Sequence, residues 1–187
     1  MKNSRIYLFL FLSIAFIACR ETQSSQTTNI SEEIKTDSIS IQLDTSVIAV
    51  IPYDTIIFSG WHNLKNVKTT ELTQLDLLEI EYILTNCIAE YNVLQKQEFD
   101  KLQTENPDWN YDINQFIIDL KKHKRQYVAI FNSTGEKEVW INCFCDTWNK
   151  NWRKSIAIVC DGGNCYFQLK INITQKKYYD FYVNGHA

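Results

Sequence analysis

The sequence predicts an α+β domain, with two amphipathic helices packed on one face of a four- to five-stranded antiparallel sheet. Three observations carry that expectation. Apolar residues recur every three or four positions from Leu77 to Leu94, and again from Ile113 to Leu120, which is helical spacing. From Gln126 onward the period falls to two, the spacing of strands. The composition is that of one folded domain rather than a disordered or collagen-like chain: 187 residues, 45% hydrophobic, 22% charged, with only five Gly and two Pro.

The first segment concerns the compartment. Lys2 and Arg5 form a short positive region, Ile6 to Ile17 is an apolar run interrupted by Ser13, and Ala18-Cys19 follows. The run falls short of the roughly 20 apolar residues a membrane-spanning helix needs, so it reads as a cleaved secretory signal over residues 1–18. Its end resembles the lipobox of bacterial lipoproteins, in which a small residue precedes a Cys that is acylated and becomes the new N-terminus. Ala18 and Cys19 match that pattern, while Phe16 stands where Leu is usual. The resemblance implies lipidation of Cys19. Arg20, in place of the Asp of an inner-membrane retention signal, implies the outer membrane. Residues 19–46 then read as the lipidated Cys and a flexible tether, because Glu21 to Asp44 is rich in Ser, Thr, Gln and Glu and almost free of aromatics. Within it, the alternation Ile39-Ser40-Ile41-Gln42-Leu43 leaves a short docking strand open.

Residues 47–187 read as a single domain. Val47 to Ser59, rich in β-formers around Pro52, suits an edge strand or extended segment. Thr73-Gln74-Leu75-Asp76 fits a capping box, and Leu72 with Leu77 fits a hydrophobic staple, so a helix starts there. Its stripe is Leu77, Ile80, Leu84, Cys87, Tyr91 and Leu94. The polar stretch Gln95 to Asn110, with Pro107, reads as a connection before the second, shorter helix. Strands are expected at Tyr127–Phe131, Glu138–Cys145, Lys154–Asp161, Asn164–Ile173 and Lys177–Val183. This element order resembles cystatin-like domains, a likeness that carries no function. Gly135 to Lys137, Trp140 to Cys145, Asp161 to Gly163, Tyr166-Phe167 and Val183 to Gly185 resemble a type of bacterial envelope lipoprotein of unknown activity.

The cysteines are the first candidates for chemistry. Five of the six remain once Cys19 is lipidated, an odd number in an oxidising compartment. If Gly162-Gly163 forms a two-residue hairpin turn, Cys160 and Cys165 face each other as a non-hydrogen-bonded pair, with Cα atoms about 4.5 Å apart, and form a disulfide. Cys143 and Cys145 share one face of a strand about 6.5–7 Å apart and so do not bond each other. A four-thiolate zinc site from Cys143, Cys145, Cys160 and Cys165 competes with this, but its spacing is looser than that of structural zinc domains. Cys87 on the apolar stripe suits a small buried hydrophobe.

Neither His62, His123 nor His186 lies in a metalloprotease frame, and no nucleophile elbow or phosphate-cradling glycine loop is present in the sequence. Charge is the second feature. Residues 20–120 hold 6 Lys+Arg against 17 Asp+Glu, whereas residues 121–187 hold 11 against 5. Lys121 to Arg125 and the segment Trp148, Lys150, Trp152, Arg153 and Lys154 mix cations with aromatics, a pattern that suits an anionic ligand or a solvated face. These five residues are the candidate ligand-binding set. The resulting expectation is a lipid-anchored envelope protein acting as a non-catalytic binding or structural module, without cofactor or metal. Its expected partners are the membrane, through the anchor, and an envelope protein or anionic glycan, not nucleic acid. The second reading is an envelope enzyme, a hydrolase or thiol-dependent protein, using Cys143 or Cys145.

Overall fold

The computed structural model describes residues 43–53, 67–146 and 150–185. Capping at Thr73 opens the principal helix: its hydroxyl accepts from Asp76 N, and the Asp76 carboxylate accepts from Thr73 N, so the expected capping box is present. The helix, α1, spans Gln74–Glu105, 32 residues or about 48 Å. It runs well past Leu94 because Gln95 to Glu105 consists mostly of good helix formers, with no Gly or Pro before Pro107. Its buried residues all lie between Ile80 and Ile88. The distal half leaves the sheet, which explains why its sequence is polar enough to resemble a connection.

The sheet has six strands in a mixed arrangement. They are β1 (Ile48–Val50), β2 (Lys68–Thr69), β3 (Lys124–Phe131), β4 (Lys137–Phe144), β5 (Tyr166–Asn172) and β6 (Lys177–Val183). Their order is β1-β3-β4-β5-β6, with β2 also on β3. β3 to β6 form the antiparallel meander that the period-two pattern predicts. β1 instead runs parallel to β3, aligning Ile48 with Arg125 and Val50 with Tyr127. The expectation of two helices on a four- to five-stranded antiparallel sheet is therefore corrected: the described residues form one α-helix on a six-stranded mixed sheet. Of the Val47–Ser59 segment, residues 54–59 lie outside the described residues.

The expected second helix is absent because its backbone groups are taken by side chains. Asp112 and Asp119 each cap a single 3₁₀ turn, Ile113–Gln115 and Leu120–Lys122. Between them the Asn92 side chain takes both backbone groups of Ile118, accepting from its N–H at 2.7 Å and donating to its carbonyl at 2.8 Å. Those groups are thereby withdrawn from a helical ladder.

The expected strand Lys154–Asp161 also fails to form. Two buried amides on the sheet face away from α1 capture this segment. Gln126 donates to Ser155 O at 2.7 Å and accepts from Ala157 N at 2.9 Å, while Asn142 donates to Ala157 O at 2.7 Å. Backbone groups satisfied by side chains need no neighbouring strand.

Two cores result. The face under α1 buries Ile80, Leu84 and Cys87 against Tyr127, Ile141, Cys143, Phe167 and Ile171, with Leu43 and Val47 packed at its margin. Packing thus begins inside the stretch expected to be tether. The opposite face buries Val128, Trp140, Phe144, Trp152 and Ala157 with Ala49 and Ile51 of the first strand segment.

Candidate functional site

A charged group sits between α1 and the sheet. Glu81 lies among Ile80, Ile83 and Leu84 on the buried face of α1, retaining 8% exposure. Arg125 Nε faces Glu81 Oε1 at 3.3 Å, and the Tyr127 hydroxyl donates to the same oxygen. The guanidinium also donates to His123 O at 3.2 Å and Leu120 O at 3.3 Å, which pins the chain leading into β3. Burial, followed by the neighbouring Glu81 charge, raises the Tyr127 phenol well above its ordinary range, so it remains a neutral donor. A paired, enclosed carboxylate of this kind orients and fixes structure. Sequence reading missed the trio, although an acidic residue flanked by stripe positions was the available signal.

The cysteines are arranged differently from the expected pairing. Cys165 bonds Cys145, with Cα atoms 5.0 Å apart, and Cys160 is an exposed free thiol. The two-residue hairpin does not form, because Gly163–Cys165 winds into a 3₁₀ turn that leads straight into β5. That turn carries Cys165 to the end of β4, where Cys145 N donates to Cys165 O at 3.0 Å.

Cys143 and Cys87 are buried thiols of the α1-side core. Burial pushes the Cys87 thiol up to about 12 and raises Cys143 further. Of the two cysteines named for the enzyme reading, Cys143 is enclosed in this core and Cys145 is held in the disulfide. The four-thiolate zinc arrangement fails on the same two facts.

His123 is likewise structural. Its ring nitrogens face Asp119 O at 2.8 Å and Asn164 O at 3.0 Å, and burial lowers its pKa. His62 and His186 lie outside the described residues, as do Cys19 and Trp148.

The aromatic and basic segment divides into two parts. Trp152 is buried at 7% exposure against Phe144, ring centroids 5.8 Å apart, so it is a core residue. Arg153 stacks on it at 4.3 Å and donates Nη1 to Ile48 O at 2.9 Å and Nη2 to Ser46 O. It thereby fastens the first strand to the sheet. Lys124 Nζ stands 5.1 Å from the same ring. Lys150 and Lys154 are exposed, and among the described residues neither forms an ion pair. Of the proposed ligand set, then, only the two lysines and the outer surface of Arg153 present charge to a partner.

A cleft of about 730 Å³ opens between Val50–Tyr53 and Thr69–Leu72, floored by Ala129. Its lining contains Tyr53 and Glu71 as its titratable groups, Tyr53 standing directly before a segment outside the described residues. Among the described residues, no helix is long and apolar enough to cross a membrane. No protein-family model, curated protein or solved structure matches the chain.

Proposed function

We propose that this chain is a lipid-anchored protein of the bacterial cell envelope whose α+β domain is a non-catalytic binding or structural module. The observation that carries the reading is the leader itself: Lys2 and Arg5, the apolar run Ile6 to Ile17, and Ala18-Cys19, in the order the lipobox resemblance requires. Two acyl chains suffice for stable attachment, because each buried methylene contributes about 0.8 kcal/mol. The Cys145–Cys165 disulfide supports an oxidising compartment. The outer membrane is the proposed location, on the residue after the Cys, Arg20. The non-catalytic part is supported by the groups first considered for chemistry: Cys143 is a core residue, Cys145 is bonded to Cys165, and His123 is held between two carbonyls, while the exposed thiol of Cys160 has neither histidine nor acid hydrogen-bonded to it among the described residues.

Membrane fractionation tests the reading. The wild-type chain is expected in the membrane pellet after a high-salt wash, while Cys19→Ser loses the acylated form. Equal retention of an unacylated Cys19→Ser chain would refute anchoring through this residue.

A further inference from the structure

The chain enters the folded domain at the same end of the sheet at which β3 begins and the 150–154 turn lies. Ile48 aligns with Arg125 near the start of β3, and Arg153 reaches back to Ser46 O and Ile48 O. Around this point stand Lys121, Lys122, Lys124, Lys150, Arg153 and Lys154, all exposed except the half-buried Lys124. Carboxylates at the same end include Asp44, Asp119 and Asp112, the last because Asn164, whose carbonyl faces His123, donates to Asn114 O and Ile117 O beside it. Asp44 accepts from Ser46 N at 2.9 Å, and Asp119 pairs with Lys122 at 3.6 Å. α1 carries seven Asp and Glu against two Lys. Where the chain enters, Lys124 and Arg153 on the Trp152 ring, with the exposed Lys150 and Lys154, form a basic cluster on the sheet face away from α1.

We propose that this end is a membrane-facing surface, on which Lys121, Lys124, Lys150, Arg153 and Lys154 seat against anionic lipid headgroups. The proposal rests on the anchored reading above and deepens it. Leu43 lies 24 positions after Cys19. Such a length reaches at most about 80 Å. An acyl anchor at Cys19 thus holds the domain within docking range of the bilayer and keeps its local concentration at the surface high. The end from which the chain emerges is the end such an anchor brings nearest. Trp152 adds order to the charge, since its ring holds Lys124 and Arg153 together, 5.1 Å and 4.3 Å from its centroid. Two cations fixed on a buried indole lose less freedom on binding than two free side chains.

Lysine footprinting of the intact chain on vesicles tests this. The protein, purified from membranes, is reconstituted on pure phosphatidylcholine vesicles and on mixed phosphatidylglycerol–phosphatidylcholine vesicles, then treated with an amine-acetylating reagent. On the mixed vesicles, Lys121, Lys124, Lys150 and Lys154 should become several-fold less reactive, while Lys96 and Lys101 on the distal half of α1 stay unchanged. Raising the salt should abolish the protection, because exposed charges are screened beyond roughly 8–10 Å near physiological ionic strength.

The triple variant Lys121→Gln, Lys150→Gln, Lys154→Gln should weaken docking on the order of a hundredfold, as each basic residue near an anionic surface contributes about fivefold. It should then lose the protection at Lys124. Equal labelling on both vesicle types, with the protein retained on both, would overturn the surface and leave the anchor standing. Failure to bind neutral vesicles would refute the anchor, and salt-sensitive sedimentation with the mixed vesicles would still support the surface. Protection by soluble dextran sulfate but not by anionic vesicles would overturn the lipid in favour of a glycan.

Discussion

Replacing Glu81 by Gln removes one charge from a site where Glu81 and Arg125 retain only 8% and 7% exposure. The new amide keeps an oxygen that can accept from Tyr127, so the change is chiefly electrostatic. Arg125 keeps its bonds to His123 O and Leu120 O but loses the carboxylate 3.3 Å from Nε. A neutral hydrogen bond contributes about 1 kcal/mol net. A buried ion left without its partner costs about 3–5 kcal/mol. The second magnitude decides, and Glu81→Gln is expected to lower stability by about 3–5 kcal/mol, a large part of a typical 5–15 kcal/mol total. Equilibrium urea denaturation reads this as a lower midpoint with an unchanged slope. The combination Glu81→Leu, Arg125→Met, Tyr127→Phe removes all three polar groups together and should recover most of the loss. A Glu81→Gln chain within about 1 kcal/mol of wild type would refute the reasoning, as would an all-apolar variant no more stable than the single one.

Non-reducing peptide mapping should find Cys145 joined to Cys165. Closing the 20-residue separation makes Cys145→Ser with Cys165→Ser cost about 3 kcal/mol in thermal or urea unfolding. Native alkylation near pH 8 should modify Cys160 within minutes and spare Cys87 and Cys143, which burial keeps protonated; labelling all three at similar rates would contradict the enclosed core. Arg153→Ala should destabilise the domain by about 1–2 kcal/mol through its lost bonds to Ser46 and Ile48, whereas Lys150→Ala should change the melting temperature little. His123 is held below its ordinary pKa of 6.5, so the unfolded chain takes up its proton at a higher pH than the folded one. Stability should therefore fall as pH drops below about 6.5, less steeply in His123→Gln, and identical slopes for the two chains would contradict this linkage.

Sequence periodicity located the meander because β3 to β6 expose alternate residues to different layers. The register of β4 on β5, Val139 with Ile171 and Ile141 with Leu169, pairs the residues that alternation marks as inward. The start of α1 was legible for an equally local reason, since a capping box is written in four consecutive residues. What escaped depends on distant partners. The strand expected at Lys154–Asp161 has the right composition, yet Gln126 and Asn142, on two other strands, take its backbone groups. Ile113 to Leu120 has helical spacing, yet Asn92 on α1 intercepts Ile118. Cys165 pairs with Cys145 rather than Cys160 because a 3₁₀ turn over Gly163–Cys165 sets Cys165 beside the end of β4, and nothing in the spacing distinguishes that turn from a hairpin. In the basic segment, composition alone did not separate Trp152, which is core, from Lys150 and Lys154, which face solvent.

Attachment of this domain to a membrane through Cys19 is the centre of the functional proposal, and the mass of the N-terminal peptide tests it most directly. Protein isolated from the membrane fraction of the native cell, digested and measured intact at its N-terminus, should yield a peptide beginning at Cys19 that carries acyl chains. An unmodified N-terminal peptide beginning at any other residue would contradict it.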